Sequence, residues 1–218
     1  APVGALLFGL GNGGLAYAQE FGVSSSVAAL VAATTPLFMG GFAWLWGSPP
    51  SSREWQGLFA GLVGVTLMKA GGSLEVGGIT GALLVLAPAG WALGSMLSRR
   101  LPGAGSPMVN AGQMLFGGVT MSLMSLVRGE TWPTAPTAVS WAAFAYLVTV
   151  GSLVGFVCYG FLLRHTRPAM AMSYAYVNPM VAMLLGVSFA GEVLTPLTVT
   201  GACVILGSVA LPPRGQRS

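Results

Sequence analysis

Arg164 to Glu192 reads RHTRPAMAMSYAYVNPMVAMLLGVSFAGE, and this stretch decides the fold. A basic cluster, Arg164-His165-Thr166-Arg167, meets Pro168, after which no charged residue occurs before Glu192. That run is long enough for a helix to cross a bilayer, which takes about 20 apolar residues. Its few polar groups include Ser173, Tyr174, Tyr176 and Asn178, with Pro179 following at once. Polar groups and a proline at membrane depth are costly unless they face protein or a water-filled cavity. The stretch therefore reads as a working membrane helix and not merely an anchor.

The rest of the chain agrees. Of 218 residues, 54% are hydrophobic and only 6% charged, with a mean hydropathy of +0.78. A soluble domain carries about 25% charged residues, so this composition excludes a soluble fold and predicts an all-α integral membrane protein. The 33 glycines suit close packing of membrane helices. The formal charge of +4 reads as flanking charge on the spans, with the lipid bilayer as partner and no nucleic acid. Cys158 and Cys203 both fall inside apolar runs, where a disulfide is not expected.

Working outward, eight apolar runs can be laid out, at roughly 3–20, 25–47, 55–70, 78–98, 107–127, 139–163, 169–191 and 196–212. The punctuation between them is helical. Ser51 and Glu54 have capping-box spacing. Ser106-Pro107 and Thr195-Pro196 each put a capping residue before a proline suited to the first helical position. No run alternates as a barrel strand would. Lys and Arg then set orientation. One side receives Arg53, Arg99, Arg100, Arg164, Arg167, Arg214 and Arg217, the other only Lys69 and Arg128. By the positive-inside rule the first side, with the C-terminus, is cytoplasmic.

An internal repeat is visible at a constant offset of 143 residues: Ala32 meets Ala175, Pro36 meets Pro179, and Gly64 meets Gly207. The offset carries the second run onto the seventh, an odd shift, so the two copies would run in opposite directions across the membrane. That is the inverted repeat of many secondary transporters. On this reading residues 1–72 hold the last three helices of a first repeat, and 73–218 a complete second repeat of five. The chain enters its first apolar run within four residues and shows no signal peptide, so a parent with ten spans is expected, two of them before Ala1.

With those residues in place, the chain resembles the EamA family of the drug/metabolite transporter superfamily. The resemblance is carried by Pro168–Leu211, by Ser24–Phe42, by Trp91-Ala92-Leu93-Gly94-Ser95, and by Glu192 with Leu194-Thr195. It implies ten helices in two inverted five-helix repeats, of which spans three to ten are covered. It further implies a multi-pass permease of the bacterial inner membrane, often an exporter of amino acids, metabolites or toxic compounds.

Candidate site residues come from polar and aromatic side chains at membrane depth. In the seventh run Asn178 offers an amide, Tyr174 lies four residues earlier on the same face, and Pro179 frees the carbonyl of Ala175. The competing reading is a structural kink with Asn178 bonding across a helix interface. Asn12 lies mid-span in the first run on a face shared with Ala16 and Gln19, and packing is an equal alternative there. Trp91, Ser95 and Ser98 share a face beside the GxxxG pair Gly90 and Gly94, which reads as packing. Ser152, Gly155 and Tyr159 align in the sixth run. Asn110, Gln113 and Thr120 in the fifth read as helix association. The expected substrate cavity is thus Asn12, Trp91, Ser95, Tyr159, Tyr174 and Asn178, with Pro36, Pro88 and Pro179 as helix hinges.

His165 reads as a solvated loop residue, Glu192 as support for a helix start, and the eleven methionines as adaptable packing. No Asp, Glu, Lys or Arg sits at the centre of a run. No catalytic residues, metal site or cofactor are therefore expected, and the chain reads as no enzyme. The expected function is a secondary transporter exporting small organic metabolites or amino acids by alternating access, with the substrate uncharged or zwitterionic. A non-transporting membrane scaffold or assembly subunit is the alternative, and it would show a closed bundle with no midplane cavity.

Overall fold

A computed structural model describes residues 2–23, 28, 31–68, 78–131, 135–171, 174–190 and 196–209, and among them the chain is helical with no strand. The first helix, α1, spans residues 2–20 as three joined segments, Pro2–Gly4, Ala5–Gly13 and Gly14–Glu20. The middle segment is wound as a π-helix: the amide of Gly14, at its end, reaches back to the carbonyl of Gly9, five residues before. Then come α2, Thr35–Leu45, and α3, Ser52–Met68. Next are α4, Gly78–Arg99, and α5, Pro107–Arg128. Helix α6 is Ala138–His165 and contains a second π segment, Leu147–Val154. A turn of helix at Pro168–Ala171 precedes α7, Tyr174–Ala190, and α8 is Pro196–Val209.

Two predicted helix starts are made as the sequence writes them. Ser51 N–H donates to Glu54 Oε2 at 2.6 Å and Glu54 N–H donates to Ser51 Oγ at 3.3 Å, a complete capping box at the head of α3. Ser106 Oγ accepts from the Val109 amide at 3.3 Å, with Pro107 at the first helical position of α5. The third expected start, at Thr195-Pro196, has its capping residue outside the described residues, as does Glu192.

In the second run the chain turns at Ala33-Thr34 and α2 begins at Thr35, beside the expected hinge at Pro36. Pro36 has no amide hydrogen to give, so it sits in the opening turn of α2, where none is needed. The Thr34 hydroxyl meanwhile donates to the Val31 carbonyl at 2.6 Å. Eight spans were expected, yet among the described residues only Thr80–Arg99 and Ala138–His165 form helices long and apolar enough to cross a membrane unaided. Helix α2 is only 11 residues. Helix α5 has the length, but Asn110, Gln113 and Thr120 dilute it.

Packing is close where glycine allows it. Helix α1 lies between α4 and α5. A methyl group on Gly4 would come 2.4 Å from the Gln113 carbonyl of α5, and one on Gly94 would come 2.9 Å from Leu7. Helix α3 packs along α8, where a methyl on Gly64 would meet Ile205 at 2.7 Å and the Gly201 carbonyl at 2.8 Å. Tyr176 of α7, buried, donates its hydroxyl to the Leu58 carbonyl of α3 at 2.7 Å. The main core joins Val3, Leu7, Met39, Ala92, Met96, Phe156, Tyr159 and Leu163. Elsewhere large apolar side chains face outward, among them Val127 at 88% exposure and Val139 at 78%. Segments Ala138–Tyr146 and Leu147–Val154 of α6 contribute no buried residue. An apolar exterior around a core containing buried polar groups inverts the soluble pattern and fits lipid as the solvent.

Candidate functional site

A cavity of about 570 Å³ lies between α1, α4, α6 and α7, within the range of small-molecule sites. Five of the six residues expected to form one do line it together: Asn12, Trp91, Tyr159, Tyr174 and Asn178. The sixth, Ser95, is fully buried behind the wall. Its hydroxyl donates to the Trp91 carbonyl at 2.7 Å, so the Tyr159 hydroxyl donates to Ser95 in turn. Ser95 thus touches the cavity only through Tyr159, which it holds in place.

Ser152 and Gly155, aligned with Tyr159 in the sequence, also line it, as do Phe8, Phe156, Cys158, Leu162 and Gly151, which the sequence did not single out for the cavity. Phe8 and Phe156 resemble any lipid-facing residue of an apolar span, so nothing in the sequence singles them out. They complete an aromatic belt. Phe8 stands 6.1 Å from Trp91 and 5.1 Å from Phe156 by ring centroids, Trp91 stands 5.7 Å from Tyr159, and Tyr159 stands 5.5 Å from Tyr174. The Trp91 indole N–H is buried beside the Tyr159 and Tyr174 hydroxyls. Among the described residues the lining holds no charged side chain. Such a wall offers ring faces together with the polar side chains of Asn12, Asn178 and Ser152.

Both π segments reach this cavity, α1 through Phe8 and Asn12, α6 through Gly151 and Ser152. Moved forward by 143 residues, 5–13 falls on 148–156, over the observed 147–154. π-helix is rare and occurs often at functional sites.

Toward the Arg99 end of α4, outside the cavity lining, polar ties join the helices and loops. Gln113 Nε2 donates to Ser98 Oγ at 2.7 Å, which makes Gln113 the helix-association residue expected. Arg99 Nη1 donates to the carbonyls of Leu163 and, at 2.8 Å, Thr166. Arg167 Nε stands 3.2 Å from Glu54 Oε1, while its Nη2 donates to the Pro49 carbonyl at 3.1 Å. At the far ends of α1 and α5, Arg128 pairs with Glu20 at 2.5 Å and Glu130 at 2.9 Å and lies over the Tyr17 ring. Of the expected hinges, Pro36 opens α2, Pro88 lies buried inside the continuous α4, and Pro179 falls within α7. His165 ends α6, stacked on Phe161 with centroids 4.1 Å apart.

Residues 79–211 match the model of the EamA-like transporter family. The chain is 37% identical over 217 residues to the Escherichia coli (strain K12) protein named uncharacterized inner membrane transporter YedA, covering 99% of this chain and 71% of that protein. It is 27% identical over 187 residues to the uncharacterized transporter YvbV of Bacillus subtilis (strain 168), covering 81% of this chain and 59% of that one. A solved crystal structure shares the fold with a TM-score of 0.78 at 20% identity, over 96% of this chain and 74% of its own.

Proposed function

The chain belongs to the EamA-like transporter family, and from that premise we propose that it is a permease of the bacterial inner membrane, exporting small organic metabolites or amino acids by alternating access. The observation that carries this reading is the cavity, which gathers five predicted residues from four helices far apart in sequence. A closed scaffold has no reason to hold such a space, so the geometry favours transport over an assembly role. Transport is not chemistry on the substrate, and the reading is of a permease and not an enzyme. The substrate is uncharged or zwitterionic, because the wall offers rings and amides but no charge to neutralise an ion.

The architecture behind it is a pair of inverted repeats, with 1–72 corresponding to the last three helices of one and 73–218 to all five of the other. Two observations support the pairing. The π segments of α1 and α6 correspond under the 143-residue offset. Helices α3 and α8, equivalent under the same offset, pack against each other, as elements beside a two-fold axis do. Eight membrane crossings follow, with the C-terminus in the cytoplasm. Rocking of one repeat on the other, with bends at Pro36, Pro88 and Pro179, would open the cavity to each side alternately. The Arg99 and Arg167 ties then form the cytoplasmic closure.

Cys158 supplies the test, since it lines the cavity and is exposed. In a Cys203→Ala background, a membrane-impermeant maleimide added to whole cells should label Cys158, and neutral amino acids should be screened for protection. In proteoliposomes the protecting compound should move. The triple variant Trp91→Ala, Tyr174→Ala, Asn178→Ala should lose both protection and transport. Undiminished efflux by the triple variant would sink the site.

A further inference from the structure

A second cavity, of about 490 Å³, lies at the end of the bundle where α4 and α6 finish, lined by Arg99, Arg164, His165, Thr166 and Arg167 and by the loop at Ser48 and Pro49. Its charge is not balanced from within. Glu54 is the carboxylate at this end among the described residues, and it is committed: Oε2 accepts the Ser51 amide and Oε1 faces Arg167. Arg99 is partly buried, and the acceptors on its Nη1 are neutral carbonyls. Arg164 forms no ion pair among the described residues. Among the described residues three guanidiniums therefore share one carboxylate at this end, whereas at the opposite end Arg128 pairs with both Glu20 and Glu130.

A partly buried guanidinium with no counter-charge leaves desolvation uncompensated, and an anion entering the pocket repairs this. Phosphate fits best, because its tetrahedral oxygens accept from two guanidinium forks at once. We infer that this pocket binds a phosphate group, held by Arg99 and Arg164 with Arg167 at its edge. The phosphate belongs either to an anionic lipid headgroup or to a soluble phosphate. The lipid source rests on the orientation proposed above, which puts the pocket at the inner leaflet, where basic pockets between helices take anionic headgroups. The soluble source does not. Bound there, the phosphate would fix the short link between α6 and α7, the helices that bring Tyr159 and Asn178 to the cavity.

The protein, in nanodiscs of phosphatidylcholine alone, is titrated with inorganic phosphate and followed by calorimetry. In parallel, delipidated protein is titrated with phosphatidylglycerol and with phosphatidylcholine of the same chains and followed by native mass spectrometry. Arg164→Gln is the principal variant, since the Arg164 side chain forms no hydrogen bond or ion pair among the described residues and its loss should leave the fold intact. Arg99→Gln is added to it, and Arg53→Gln removes one charge outside the pocket. Binding of phosphatidylglycerol, of phosphate or of both should weaken about tenfold in Arg164→Gln, and further in the double variant, with little change in Arg53→Gln. A response to the lipid alone assigns the headgroup, and a response to phosphate alone assigns the soluble anion. The site is overturned if neither binds, if phosphatidylcholine binds as well as phosphatidylglycerol, or if Arg53→Gln weakens binding as much as Arg164→Gln. Phosphate titration needs no transport, so loss of the permease reading leaves it standing.

Discussion

Two glycines with the same helix propensity should answer oppositely to the same substitution. Gly61 faces Tyr176 so closely that an alanine methyl would come within 2.6 Å of the ring, and that ring is held by its bond to Leu58. Gly118 of α5 has nothing within 4 Å. Gly61→Ala should therefore destabilise by about 1–3 kcal/mol through overpacking. Gly118→Ala should stabilise by up to about 1 kcal/mol, because the open helix gains propensity without a clash. Thermal unfolding in detergent reads both, and equal shifts would contradict the packing described. At this scale the sequence was readable where a residue broke its surroundings. Asn12, Trp91, Tyr174 and Asn178 stand out because a polar or ring-bearing group in an apolar run needs an explanation. Phe8 and Phe156 do not, because the same side chain serves lipid and cavity equally well. Ser95 stood out too, but it lies behind Tyr159, whose hydroxyl donates to it while its own proton goes to the Trp91 carbonyl.

Among elements, helix starts were legible and helix interiors were not. Ser51 with Glu54, and Ser106 with Pro107, encode their caps locally. The π segments leave no such mark, since a five-residue return is imposed by neighbours on both flanks and not by a motif. A π turn packs its backbone less closely about the helix axis than an α turn, so amides of 5–13 and 147–154 should exchange with deuterium faster than those of α4 at equal burial. Exchange as slow as that of α4 would show that the π winding does not weaken these segments. The tie between the head of α3 and the link before α7 makes a second prediction. Glu54 is buried but Arg167 is half-exposed, so the pair contributes only about 1 kcal/mol. Arg167→Gln should barely lower the unfolding temperature, yet it should raise labelling of Cys158 from the cytoplasmic side severalfold if that face is the closure. Unchanged labelling would place the closure elsewhere.

For the molecule as a whole, the charge asymmetry predicts the outcome of reporter fusions. A fluorescent protein joined after Ser218 should glow and alkaline phosphatase at the same point should be inactive, whereas phosphatase inserted after Gly129, beside Arg128, should be active. The reverse pattern would invert the proposed orientation. That the chain is a helical membrane protein was legible because apolar run length is an additive property that survives ignorance of contacts. What was not legible is how the helices stand against each other, for that rests on close approaches such as Gly4 on α5 and Gly94 on Leu7, which composition cannot rank.

The contrast between α5 and its neighbours also bears on how the chain is made. Helices α4 and α6 are apolar enough to leave the translocon for lipid unaided, but α5, emerging between them, carries Asn110 and Gln113 into the bilayer. Gln113 is expensive there until it finds Ser98 on α4, and Asn110, whose Nδ2 makes no hydrogen bond among the described residues, is shielded from lipid only once it packs against Gly160 on α6. Biosynthesis should therefore hold α5 beside the insertion machinery until α6 has been translated, and the three should enter the bilayer as a single hairpin-and-strut unit.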